Sequence, residues 1–287
     1  MANAQTRRRR KLGVYLQELR KNAGRSLESV ADLLGVSRPT VTRMEGGYTR
    51  CRRVELHAIL GYYGADERQR SKAVGLWDDA SDDATWVRFP ARSSSAFRNF
   101  LQAEAEATTL QALDMHLVPG LLQTLDYARA VQTQVASPFE EDEETVEQYV
   151  RSRLDRQRRL GGDRPLELHA FLDEAALRRE VGGVEVLLGQ LRHLLEIGYL
   201  DNVRIQLVPF GVGAYGTNSG GVTILGFSDA EDPPVAYLEH AGGGVWVEDG
   251  EAVAHYTRMM RGLDAVALSE GDTAKAIRHR IEVLEQR

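Results

Sequence analysis

Apolar positions in the first eighty residues recur with a helical period. Leu12, Leu16 and Leu19, flanked by Val14 and Tyr15, mark an amphipathic helix. Leu27, Val30, Ala31 and Leu34 follow at i, i+3, i+4 and i+7, the spacing of one buried face, and Ser26 stands where an N-cap belongs. Gly35 supplies the permissive backbone that stops this helix, and Val36 fills the corner after it. Ser37 reads as the N-cap of the next helix, and Pro39 is tolerated in a first turn where its missing N–H costs nothing. From there Val41 and Met44 face inward, Arg38, Thr40, Thr42 and Arg43 face outward, and Gly46 and Gly47 end the element. Two short helices hinged on a glycine, the second exposing a polar N-terminal half, form the helix-turn-helix pattern, with the helix over 37–45 sized and charged for a DNA major groove. Two further helical patterns, over 54–60 and 68–77, bring the count to five, enough for a small independent core.

Past residue 80 the period alternates between helix and strand. Phe97, Phe100, Leu101 and Ala105 predict a helix; Leu113, Met115 and Leu117, alternating with Asp114 and His116, predict a strand. Helices are expected over 125–135 and 146–160, the second acidic at its start and basic at its end, as the helix dipole favours. A strand over 166–172, an Asp173-capped helix, a leucine-rich helix over 187–195 and a strand over 203–207 suggest a helical crossover between parallel strands. Short strands over 222–227, 235–238 and 245–247 should be antiparallel, and two terminal helices follow, the last capped by Ser269 with Ile277, Ile281 and Leu284 inward. The expected fold is therefore multi-domain: an all-α five-helix domain, then an α/β domain with a small mixed sheet. The boundaries are a basic arm over 1–11, a helix-turn-helix domain over 12–80, a linker or docking segment over 81–96, and an α/β regulatory or partner-binding domain over 97–287. The linker is marked by its acidic, proline and serine residues, with Trp86 and Phe89 available to pack on a domain.

Charge sharpens this division. The chain carries a net −6, yet residues 1–80 hold 16 Lys+Arg against 9 Asp+Glu, leaving 20 against 33 for the rest. A basic module on an acidic body attracts phosphate at one end only. Arg7, Arg8, Arg9, Arg10 and Lys11 concentrate that charge and read as an arm on phosphates or in the minor groove, or as a solvated leader. An arginine such as Arg38 or Arg43 on the outward face can bond guanine O6 and N7 together. Cys51 is the only cysteine, excludes an internal disulfide and has no ligand-spaced partner, which fits an inert thiol in a reducing cytoplasm. No stretch approaches the length of a membrane span, and no apolar signal core follows the basic N-terminus.

Residues 10–80 resemble the DNA-binding domain of the lambda-repressor-like, xenobiotic-response-element (XRE) family of bacterial regulators. The likeness lies in Val30-Ala31, Leu34-Gly35-Val36-Ser37, Thr40-Val41, Met44-Glu45 and Gly47. It implies an ion pair between Arg20 and Glu45, base-reading positions at Arg38, Pro39, Thr42 and Arg43, and phosphate contacts at Ser26 and around Arg50, Arg52 and Arg53. One departure is Leu27, where the family often has a glutamine; its side chain cannot bond a phosphate. The second half resembles a C-terminal domain of poorly defined function, often called antitoxin-like, fused to such modules in actinobacterial regulators. That likeness is carried by Leu117-Val-Pro-Gly-Leu-Leu-Gln-Thr, Tyr127-Ala-Arg-Ala, Arg153 with Arg156-Gln157, Asp173 to Arg178 and Asn202 to Pro209. It implies a small partner protein encoded nearby.

Other local signals are weaker. Gly211, Gly213 and Gly216 spell GxGxxG after a strand, but the dinucleotide fingerprint requires a following helix, and here another strand follows. The same glycine-rich loop could cover a ligand, with Tyr215 and Asn218 as contacts. Glu167, His169, Asp173 and Glu174, and the Glu239-His240 pair, lack the convergent spacing of a metal site, and no nucleophile motif occurs. The sequence thus predicts a non-enzymatic, cytoplasmic regulator of double-stranded DNA without cofactor or metal. A homodimer is expected, since one such module offers few contacts, with a small-molecule effector or partner protein engaging the C-terminal domain. The alternative is an antitoxin-like module that autoregulates its own operon.

Overall fold

The computed structural model describes residues 7–80, 94–136, 143–217, 220–228, 232–240 and 243–287. Two compact units, Met1–Thr85 and Trp86–Arg287, divide the chain. Most of the expected linker, with Trp86 and Phe89, lies outside the described residues; its last positions open a helix of the second unit.

The first unit is five helices, α1 (Arg7–Asn22), α2 (Leu27–Leu34), α3 (Arg38–Glu45), α4 (Arg53–Tyr62) and α5 (Glu67–Asp79). Its core gathers the predicted inward positions Leu12, Leu16, Leu19, Val30, Ala31 and Val41 with Leu56, Ile59 and Leu60 of α4. The turn between α2 and α3 forms as the residues dictate. Ser26 Oγ accepts from the Ser29 amide at 3.0 Å, Gly35 takes a left-handed φ of 65°, and the Val36 amide donates to the Ala31 carbonyl at 3.0 Å. One expectation changes here. Arg7 to Lys11, read as an arm, are the first residues of α1.

The reason lies in the crossing of α1 with the end of α3. A Cβ on Gly13 would stand 2.4 Å from the Glu45 carbonyl oxygen, and one on Gly47, at φ 73°, would stand 2.6 Å from Arg10 Cα. The two backbones approach this closely because neither position carries a side chain, so the first turn of α1 is held by contact with α3.

The second unit is built on six strands: β1 (Thr109–Asp114), β2 (Glu167–Asp173), β3 (Val203–Val208), β4 (Val222–Gly226), β5 (Val235–His240) and β6 (Gly243–Val247), in the order β3-β2-β1-β4-β5-β6. The β1–β2 and β2–β3 pairs are parallel; β1–β4, β4–β5 and β5–β6 are antiparallel. The helices are α6 (Ser95–Glu106), α7 (Leu125–Ala136), α8 (Glu143–Gln157), α9 (Ala175–Arg178), α10 (Val184–Ile197), α11 (Gly250–Leu263) and α12 (Glu270–Glu285). Helix α10 carries the chain between parallel strands β2 and β3, and Ser269 caps α12 through the Asp272 amide, both as predicted. The first strand falls earlier than its predicted span: it ends at Asp114, and Met115 to Leu117 form a bend. Strand β1 is central, so Leu110, Ala112 and Leu113 are buried on both its faces, and the alternation that marks a half-solvated strand is absent. Leu113, Phe171, Val222, Ile224 and Ala236 on one face pack with Val253, Met260 and Leu263 of α11. The other face, with Tyr237 stacked on Phe100, meets α6.

Candidate nucleic-acid interface

Helix α3 owes its orientation to what lies under it. Val41 and Glu45 are buried and Met44 is half-buried, which leaves Ser37, Arg38, Pro39, Thr42 and Arg43 exposed together along the opposite side. Thr40, expected outward, is half-buried. The Ser37 hydroxyl does not cap α3; it pairs with the Thr40 hydroxyl at 2.9 Å, so the two satisfy each other at the helix entrance. Thr42 Oγ1 donates to the Arg38 carbonyl at 3.2 Å. At the start of α2, Ser26 is exposed, and because its oxygen accepts the capping bond its own proton remains available to an outside acceptor. Leu27 is half-buried against the core, consistent with its inability to hold a phosphate.

Beneath the end of α3 the structure brings Arg20 and Glu45 together. Arg20 Nε lies 2.6 Å from Glu45 Oε1 and Nη2 lies 2.9 Å from Oε2, both side chains buried, and Nη1 donates to the Arg25 carbonyl at 2.8 Å. The hydrogen bond to Glu45 raises the Arg20 pKa further, so the guanidinium stays charged. A two-pronged bridge of this kind fixes angle as well as distance, and it locks the C-terminal end of α3 to α1.

The remaining arginines differ in availability. Arg43 is exposed, and its side chain makes no hydrogen bond or ion pair among the described residues. Arg38 pairs with Glu28 of α2 at 3.0 Å, but both side chains are more than half exposed and the pair is weak. Arg50 is half-buried: its guanidinium lies 4.2 Å from the centre of the Trp77 ring, so it is a stacked side chain rather than a reaching one. Trp77 is itself anchored by donating to the Cys51 carbonyl at 2.8 Å. Arg53 lies 5.7 Å from the same ring and is exposed, while Arg52 bonds Glu55 at 2.7 Å and remains 82% exposed. Burial opposes ionisation of Glu55, but the Arg52 contacts prevail and hold its carboxyl below the usual range. Arg8, Arg9 and Arg10 are half-buried on α1, and of Arg7 only the backbone is described. Burial pushes the Cys51 thiol up to about 11, which keeps it protonated and unreactive.

In the second unit, Tyr215 is not a free loop tip. Its hydroxyl donates to Asp173, and its ring packs with the α11 side of the sheet. Burial and the Asp173 contact both raise its pKa. Asn218 lies outside the described residues. Gly211 lies in the turn at Phe210–Val212, and among the described residues the next element after Gly213 and Gly216 is strand β4 rather than a helix. Among the described residues no group of three or more His, Cys, Asp or Glu could hold a metal ion, and no helix is long and apolar enough to cross a membrane.

Sequence reasoning passed over Gly13, Glu28 and Trp77. Gly13 falls on the apolar face of α1, where a glycine in a helix interior is a costly choice that signals close backbone approach. Nothing in local spacing marks Glu28 or Trp77, whose partners come from other elements.

A recognition helix backed by a locked support and flanked by exposed cations defines a helix-turn-helix DNA-binding domain. A model of the helix-turn-helix domain matches residues 11–73. A second model, a domain of unknown function (DUF5753), matches residues 97–279, well over half the chain, and the chain belongs to that family. No curated protein and no solved structure matches it.

Proposed function

We propose that this protein is a sequence-specific transcriptional regulator of the XRE type, reading the major groove with α3 as a homodimer. The observation that carries this reading is the shared exposure of Arg38, Pro39, Thr42 and Arg43 on a helix whose opposite side is fixed by Val41 and the Arg20–Glu45 bridge. Base edges would be met by Arg38 and Arg43, phosphates by Ser26, Arg52 and Arg53, and the duplex flank by the arginines at the start of α1. A homodimer would place two such helices on half-sites about 10 base pairs apart. The second unit is read as the site of dimerisation and of ligand or partner sensing, without catalysis, in a cytoplasmic protein. Its net acidity also favours the antitoxin-like alternative, in which it neutralises a basic partner protein. Sequencing of genomic fragments retained by the purified chain tests the reading: a few enriched, two-fold symmetric sites are expected. Uniform recovery of all fragments would overturn it, whereas stoichiometric co-purification of a small basic protein would favour the alternative.

A further inference from the structure

The sheet face under α6 holds a small cavity whose charges are unbalanced from within. Strand β1 puts Leu110, Ala112 and Asp114 on this face. The register Ala112 to Thr223 and Thr223 to Tyr237 carries the face across β4 and β5, so that Glu239, two residues past Tyr237, arrives near Asp114. Both approach Gly221, where an added Cβ would lie 3.7 Å from Asp114 Oδ1 and 3.9 Å from Glu239 Cβ. Helix α8 adds Arg153 and Arg156 from above, one turn apart, and α6 adds Phe97, Phe100 and Glu104.

The pairing within this set is incomplete. Arg156 is satisfied: Nε and Nη2 meet the two Glu104 oxygens at 2.6 and 2.7 Å in a buried, two-pronged bridge. Arg153 makes one hydrogen bond among the described residues, from Nη1 to Gln123 Oε1 at 2.8 Å. Gln123 is held for that role because its Nε2 donates to the Val118 carbonyl at 2.6 Å. The carboxylates of Asp114 and Glu239 make no hydrogen bond and no ion pair among the described residues. A guanidinium and two carboxyl groups therefore line one cavity without closing on each other, Asp114 and Arg153 half-buried and Glu239 exposed at its edge.

We propose that this cavity binds the ammonium and carboxylate groups of a free amino acid, the carboxylate on Arg153 and the ammonium between Asp114 and Glu239. Only a molecule carrying both signs satisfies both walls. The cavity, about 70 Å³, is several times the roughly 10–15 Å³ that admits one water, which leaves room for a small polar molecule. Phe97 and Phe100 supply an apolar wall for the side chain, and the exposed Glu239 marks the mouth. This deepens the ligand-sensing part of the function proposed above, and it is tested without DNA so that the two can fail separately.

The test is calorimetric titration of the full chain with each of the twenty common free amino acids, and with the N-acetyl and amide derivatives of whichever binds. Saturable binding of at least one is expected, weakened by about tenfold or more when either charge of the ligand is blocked. Asp114→Asn and Arg153→Gln should weaken it comparably. If either fails to fold, Glu239→Gln at the exposed mouth carries the same expectation. No binding by any of the twenty, equal binding of a derivative lacking one charge, or undiminished binding by the folded variants would overturn the proposal.

Discussion

At the level of single side chains, Arg43 and Arg38 are not equivalent. Arg43 is available as it stands, whereas Arg38 must leave Glu28 before it can meet a base. Arg43→Ala is therefore expected to relax base preference at one position per half-site by about 1–3 kcal/mol, and Arg38→Ala to do so by less. Competition binding against single-position variants of the operator reads this; an equal loss on every sequence would make both phosphate contacts. Arg20→Ala leaves Glu45 buried without its counter-ion, with only Gln17 Nε2 donating to it at 3.4 Å, which should cost about 3–5 kcal/mol of stability, seen as a lowered melting temperature of the helical unit. Removing both charges, as Arg20→Met with Glu45→Leu, should recover most of that loss. Asp114 gives a pH signature of its own. Burial first, and then the charge of Glu239, push its carboxyl up to about 8, with Arg153 opposing; Arg156, Glu104 and the Tyr127 hydroxyl are the other ionisable groups packed around it. The folded state thus binds a proton more tightly than the unfolded one, so stability present at low pH declines as pH rises from the ordinary aspartate range towards about 8. Denaturant unfolding across that range should show this decline, and Asp114→Asn should flatten it.

Among the elements, the decisive contact is that of α1 with α3. Gly13→Ala places a methyl group against the Glu45 carbonyl, and we expect a loss of about 1–3 kcal/mol, of the order found for overpacking, with weakened DNA binding as α3 shifts. Glu28 of α2 acts in the opposite sense, since it holds Arg38 and would repel an approaching phosphate. Glu28→Gln should raise DNA affinity a few-fold, in line with the roughly 0.2–1 kcal/mol of an exposed pair; unchanged affinity would mean that Arg38 does not reach the duplex. These elements also show what the sequence makes legible. The α2–turn–α3 unit can be read because its signals are local: a capping serine, a left-handed glycine and an apolar face at helical spacing. The Arg20–Glu45 bridge comes only through family likeness, since the two residues are 25 positions apart. Strand β1 escapes its predicted span because burial on both faces erases its alternation. The charged cavity is invisible along the chain because its walls come from α6, β1, α8 and β5, and no spacing relates Asp114 to Arg153 or Glu239.

For the molecule as a whole, charge is divided as the fold is divided, with the basic excess in the helical unit and the acidic excess in the sheet-containing one. Association with DNA should therefore be steep in salt and confined to one unit. Arg7→Gln with Arg8→Gln should lower the log–log salt slope by about 0.9 for each phosphate left without its cation, and an unchanged slope would leave the start of α1 a structural turn only. The account rests on α3 as the element that reads sequence. Its most direct test is selection of duplexes from a random pool by the full chain, run beside the Arg38→Ala, Arg43→Ala double variant. The wild-type chain should enrich a two-fold symmetric site with half-sites about 10 base pairs apart, and the double variant should lose that preference while retaining weak, sequence-independent binding. Enrichment of the same site by both proteins, or of no site by either, would contradict the account.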